Sequence, residues 1–228
     1  METLKLTKDK YNRVLAIVRI GEDPHMDIDN TNYYMAILVV DTRKSGVMER
    51  LRDVAHKLSE HKTFTIAIFI TGSYDWTLAD SLVFGIDVWF ITSSKEEAYG
   101  MASDIQDIVE SNNAISLDLA DIKTILYKGE GRNAYYGIGI SKSNNLKTAL
   151  DNAVHNTQEC GMNIYECNKF LIAISCDSWL TKNQMSDLNH FIDSLSDKHK
   201  NYFEIKWGLT TKTDLTDNAV KVNLIASH

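Results

Sequence analysis

Four stretches constrain the fold of this chain more than any other feature. They are residues 13–20 (Arg-Val-Leu-Ala-Ile-Val-Arg-Ile), 35–40 (Met-Ala-Ile-Leu-Val-Val), 63–70 (Thr-Phe-Thr-Ile-Ala-Ile-Phe-Ile) and 87–91 (Asp-Val-Trp-Phe-Ile). Each is short, rich in β-branched or aromatic residues, and too poor in polar side chains to offer one wetted face. Between them the period changes to that of a helix. One helix spans about 46–60, with Val47, Leu51, Val54, Ala55 and Leu58 on one stripe, and a short one spans about 77–84. Strands apolar on both faces, alternating with helices, predict a parallel sheet covered on each side. Ligands of such sheets bind beyond the carboxyl ends of the strands. The loops there are 21–34, 41–46, 71–76 and 92–95.

The pattern then changes. A long helix is expected from Ser94 to about Ser111, opened by a capping box of Ser94 with Glu97, with Ala98, Met101, Ala102, Ile105, Ile108 and Val109 inward. Residues 113–126 follow (Asn-Ala-Ile-Ser-Leu-Asp-Leu-Ala-Asp-Ile-Lys-Thr-Ile-Leu), with Asp118 and Asp121 set among Leu117, Leu119, Ala120 and Ile122. Two acids among so many apolar neighbours read as the junction of two structural halves. After a turn at 127–132, a strand is expected at 133–141, whose glycines suggest close backbone approach. Then come a helix over 143–155, a strand over 169–175, a helix capped by Thr181 and Gln184 running to Leu195, and strands at 202–209 and 220–226. A polar loop between the last two suits an antiparallel hairpin. This half reads as α+β, two helices on one sheet.

Composition narrows the function classes. A net charge of −7 over 228 residues argues against a nucleic-acid groove and against attraction to anionic lipid. Cys160, Cys167 and Cys176 lack paired spacing and read as buried free thiols in a reducing compartment. With no signal-peptide run and no window near the ~20 apolar residues of a membrane span, a cytoplasmic location is expected. Glu22, Asp23, His25, Asp27 and Asp29 lack the pattern of a calcium loop and read as a solvated turn. The seven histidines show no metal spacing, and His56 and His61 read as surface residues. Gly129-Glu130-Gly131 reads as a turn, and Gly72-Ser73 lacks the flanks of a nucleophile elbow. Trp76 and Trp179 lie near turns and suit either core packing or interface anchoring.

The stretch Ala114 to Leu126 resembles the FtsZ loop pattern Asn-x-Asp-x-Ala-Asp-x-x-x-x-Met, with Ser116 in place of the Asn. Gly137-Ile138-Gly139, the helix bearing Ala149, Ala153 and Val154, and Asn168 to Ser175 followed by Leu180-Thr181 resemble the next FtsZ elements in order. Phe203 to Gly208 and Lys221 to Ser227 resemble its closing strand pair. The chain is thus similar to the tubulin/FtsZ superfamily from about Lys95 onward. The resemblance implies an α/β fold: a shortened tubulin/FtsZ-type parallel-sheet (Rossmann-like) domain over 1–94, a long central helix over 95–112, and an FtsZ C-terminal-type α+β domain over 113–228.

The first half departs from the pattern. FtsZ's Gly-rich loops let backbone N–H groups approach phosphate. The corresponding loop here is Asp41-Thr-Arg-Lys-Ser-Gly46, and the loop after the first strand begins Gly21-Glu22-Asp23. Arg43, Lys44, Ser45 and Gly46 remain as a candidate vestigial phosphate loop, and no cofactor is expected; GTP is the alternative. Carried over from the resemblance, Asp118 and Asp121 are the inter-subunit catalytic carboxylates. Their other reading is a cap for the following helix, whose positive end attracts acids. The resemblance implies a cell-division or cytoskeletal role through contacts with itself or with an FtsZ-type filament subunit, for example as a filament cap; the departing loops imply that GTPase activity is absent. The rival is a GTPase with altered loops. The chain stops two residues after its last expected strand, so anchoring through an FtsZ-type tail is not expected.

Overall fold

A computed structural model describes residues 5–8, 14–22, 28–72, 85–110, 114–126, 132–159, 163–198, 202–211, 215 and 218–228. The helix expected at 77–84, the turn at 127–131, Ser73, Trp76 and Cys160 lie outside the described residues. The chain divides into two compact units. The first comprises residues 1–106 and 127–133, the second 107–126 and 134–228.

The first unit is built on a six-stranded sheet in the order β1 (Lys5–Lys8), β2 (Val14–Ile20), β3 (Tyr33–Asp41), β4 (Phe64–Ile70), β5 (Val88–Thr92), β6 (Arg132–Asn133). From β2 to β6 all neighbours are parallel. β3 and β4 are buried on alternate residues of both faces, as their unbroken apolar runs require. On one face Ala36, Leu38, Val40, Ala67 and Phe69 share a core with Val47, Leu51, Ala55 and Leu58 of helix α1 (Val47–Glu60). Helix α2 (Lys95–Glu110) buries Ala98, Met101, Ala102, Ile105 and Ile108.

Two edge strands escape a reading based on apolar runs. β1 pairs antiparallel with β2. β6 is only two residues long and pairs with Val88 and Trp89 of β5. The single strand expected at 133–141 is therefore divided. Its first residue closes the first sheet, and Tyr135–Ser141 forms β7 of the second.

The second unit has a four-stranded sheet in the order β7, β10 (Val220–Ser227), β8 (Lys169–Cys176), β9 (Glu204–Thr211). The expected hairpin of the last two strands does not form. β10 lies between β7 and β8, antiparallel to both, while β9 runs parallel to β8 at the edge. Burial explains the choice: β10 is buried at every residue except Lys221, whereas Glu204 to Trp207 of β9 are half-buried. The more apolar strand takes the centre, and a helical crossover from β8 makes β9 parallel.

Helix α4 (Leu146–Glu159) packs on β7 and β10, and α5 (Lys182–Ser196) packs on α4. The α4 start differs from the expected Ser143. Ser143 and Asn144 are both left-handed (φ 57°), and Asn145 Oδ1 caps the helix by accepting from Thr148 N at 3.0 Å. Thr181 and Gln184 form the complete capping box expected for α5. At α2, Ser94 Oγ accepts from Glu97 N at 3.1 Å, while the Glu97 carboxylate accepts from the Thr92 hydroxyl. Helix α3 (Leu119–Leu126) packs on β8, β9 and β10. It lies on the other face from α4. Ser227, which reaches α3, alternates with Leu224 and Val222, which sit opposite Gly137 and Gly139.

Those two glycines let α4 touch the strand backbone. A Cβ on Gly139 would stand 1.8 Å from the Ala149 carbonyl oxygen, and one on Gly137 would stand 2.1 Å from that of Ala153. Backbone cannot yield as a flexible side chain can, so Gly139→Ala forces α4 off the sheet. It is expected to cost about 3 kcal/mol, read as a lowered midpoint in chemical denaturation.

Candidate functional site

The acid-bearing junction is held in place from two sides. Ile115 pairs with Leu209 of β9 through two backbone hydrogen bonds, N to O at 3.0 Å and back at 2.9 Å. Gly208 makes room for this crossing, since a Cβ there would lie 2.6 Å from Leu117 Cγ and 2.8 Å from Ile115 O. Leu117 is buried, so Asp118 follows an anchored residue.

Asp118 and Asp121 then cap α3 reciprocally. Asp121 N donates to Asp118 Oδ1 at 3.0 Å, and Asp118 N donates to Asp121 Oδ2 at 3.2 Å. This satisfies two backbone donors at the helix start in the manner of a capping box, with Asp in place of Ser and Glu. Lys206 of β9 sets its ammonium 3.4 Å from Asp121 Oδ1. Asp118 is exposed and Asp121 half-buried. At the other end Lys169 Nζ donates to Thr124 O at 2.9 Å, and Ser227 Oγ donates to Ile125 O at 2.7 Å. A helix of eight residues is marginal alone; this one is fixed at both ends. Lys206 carries no local sign of this role, because nothing within a strand says that its side chain meets a residue 85 positions earlier.

The carboxyl ends of the first sheet hold a separate cluster. Asp41 ends β3, and Arg43 grips its carboxylate with a two-pronged contact, Nε to Oδ1 at 2.7 Å and Nη2 to Oδ2 at 3.0 Å. That contact holds the Asp41 carboxyl below the usual range. Lys44 donates to Glu22, which follows β2. Lys95 Nζ also donates to Glu22 Oε1, at 2.9 Å, and Tyr99 OH donates to Oε2 at 3.3 Å. The Lys44 and Lys95 hydrogen bonds lower the Glu22 pKa to about 2. Ser45 and Gly46 are exposed. Gly46 sits at φ 73° as the N-cap of α1 and gives it no side-chain cap.

The acidic loop thus acts as an acceptor for lysines. Glu22 takes Lys44 and Lys95, and Asp29 lies 3.6 Å from Lys57 and 3.9 Å from His61. Asp23, His25 and Asp27 lie outside the described residues. Among the described residues no group of three His, Cys, Asp or Glu is placed to hold a metal ion, and no helix is long and apolar enough to cross a membrane. Cys167 and Cys176 are free and buried, and burial pushes the Cys167 thiol up to about 12. Trp179 is 64% exposed.

No protein-family model matches this chain, and no curated protein sequence does. Solved structures do. The chain is similar to an empty FtsZ dimer of M. jannaschii, with a TM-score of 0.63 and 18% identity, over 86% of this chain and 64% of that one. It is similar to TubZ of Bacillus thuringiensis serovar israelensis in GDP-form protofilaments, with a TM-score of 0.60 and 9% identity, over 91% and 64%. The GTPγS-form protofilament of the same TubZ gives 0.58 and 8%, over 91% and 63%. The fold is therefore tubulin/FtsZ-like, and the chain spans less than two thirds of the length of these proteins.

Two outcomes follow from the geometry. Replacing Asp118 by Ala removes the α3 cap and is expected to cost about 1 kcal/mol of stability, with Asn retaining most of it, measured by denaturant unfolding. The depressed Glu22 pKa means its contribution is fully present above its ordinary value of 4.5 and is lost as pH falls toward about 2. Glu22→Gln should therefore flatten the acid limb of a plot of melting temperature against pH in that window.

Proposed function

We propose that this chain is an FtsZ/tubulin-type cytoskeletal protein of the cytoplasm that works through subunit contacts, with itself or with an FtsZ-type filament subunit, and does not hydrolyse GTP. One observation carries the reading. Arg43 and Lys44, the cations of the loop after β3, are committed to Asp41 and Glu22, as is Lys95 to Glu22. Each of these cations already has a carboxylate partner, which a polyphosphate would have to displace to gain it. The loop has one glycine, so side chains crowd the approach to its backbone N–H groups, and Glu22 and Asp41 both stay ionised at neutral pH. The residues present do not fit a nucleotide phosphate cradle.

The acid pair is the opposite case. Asp118 is exposed on a short helix fixed at both ends, which suits a contact surface presented to a neighbour. A protein that presents this face while lacking a working nucleotide face binds one end of a filament and stops its growth.

Adding the protein at equimolar ratio to an assembling FtsZ is expected to lower polymer mass by light scattering, and Asp118→Ala with Asp121→Ala should relieve the effect. Unchanged scattering sinks the capping role. A phosphate-release assay is expected to show no GTP turnover. Turnover abolished by Asp121→Ala, or micromolar GTP affinity by calorimetry, establishes the rival GTPase instead.

A further inference from the structure

Three donors converge on the carboxylate of Glu22. Lys44, in the loop between β3 and α1, and Lys95, the first residue of α2, both donate to Oε1, the second at 2.9 Å. The Tyr99 hydroxyl donates to Oε2 at 3.3 Å. Lys95 and Tyr99 are four apart on α2 and so share a helix face. The acid is set in place by a turn at the end of β2. Glu22 N donates to Arg19 O at 3.0 Å, and Gly21 takes the left-handed position at φ 86°.

Two ammoniums and a hydroxyl aimed at one pair of oxygens make the donor set of an anion site, and the anion in it is a side chain of the same chain. The charges of the cluster do not cancel. Arg43 pairs with Asp41, so Lys44 and Lys95 have Glu22 between them and a positive charge is left over. The two lysine side chains are 40% and 38% exposed, so an anion from solvent can reach them. What keeps such an anion out is the tether. An acid carried two residues past the end of β2 competes at an effective concentration on the order of millimolar.

We propose that Lys44, Lys95 and Tyr99 form a binding site for a single small oxyanion of the phosphate class, and that Glu22 is its built-in occupant. The proposal rests on the reading above that the cations of this sheet end are committed to carboxylates, and it makes one of those carboxylates a stand-in for a ligand. A tetrahedral oxyanion carries more acceptor oxygens than a carboxylate, so all three donors can be reused when Glu22 leaves. The turn after β2 thereby controls the site: while it holds Glu22 in place, the site is shut.

The test is a titration of the parent and of Glu22→Ala with inorganic phosphate, read by melting temperature. Chloride is exchanged for phosphate so that ionic strength, and with it screening, stays fixed. Phosphate also stabilises folded proteins in general, so each gain is counted above that of a Glu22→Ala protein that also carries Lys44→Ala and Lys95→Ala. Glu22→Ala is expected to gain about 2 to 4 °C over this baseline once phosphate exceeds its dissociation constant several-fold, and the parent to gain nothing. A Glu22→Ala protein that stays on the baseline overturns the proposal and leaves the committed-cation reading standing. A parent that gains as much as Glu22→Ala overturns both. If Glu22→Ala does not melt cooperatively, Glu22→Gln, which keeps the length of the side chain and drops its charge, is judged by the same outcomes.

Discussion

The second unit is arranged around a contact between backbones. Ala149 and Ala153 of α4 rest their carbonyls over Gly139 and Gly137 of β7, at distances that exclude a single extra carbon. Dispersion forces fall steeply with separation, so a helix this close to a strand gains many atom contacts that a larger residue would forfeit. The approach also brings Asn156 and Asn152 of α4 to the carbonyls of Ile138 and Ile140. One side-chain deletion, repeated two residues apart, thus governs how the helix packs and which backbone groups it meets.

Charge is organised differently in the two units. In the first, the cations after β3 and at the start of α2 fold back on carboxylates that follow β2 and end β3, so three cations share two acids. In the second, two carboxylates share the start of α3. Their proximity is tolerated because each accepts a backbone N–H of the other and because Lys206 sits beside Asp121. Both side chains serve as the cap and Asp118 is also exposed, so capping does not exclude a second role for that acid. Helix capping orients these acids.

The alternation of apolar strands and amphipathic helices was legible because burial on both faces leaves a composition that can be read locally. β3, β4, α1, α2 and the Thr181–Gln184 cap all follow from neighbours within one turn or one strand. The glycines of β7 likewise announced a close approach, although not to what. β1 and β6 escaped notice because a short edge strand has no apolar run of its own. The expected β9–β10 hairpin does not form because a polar connection fits either a hairpin or a return to the sheet centre, and competition between strands for the buried position decides between them.

By itself the sequence determined the long strands and helices, the positions of the glycines, and the two acids at a helix start, since each depends on backbone preferences and periodicity acting over a few residues. Only the tertiary structure decided which cations are consumed. Glu22 meets a lysine 22 residues on and another 73 residues on, and Asp121 meets one 85 residues on. It also decided that two asparagines of α4 meet backbone carbonyls of β7. These are pairings between groups that the chain brings together only by folding, and a charge or an amide carries no local sign of the partner it will find.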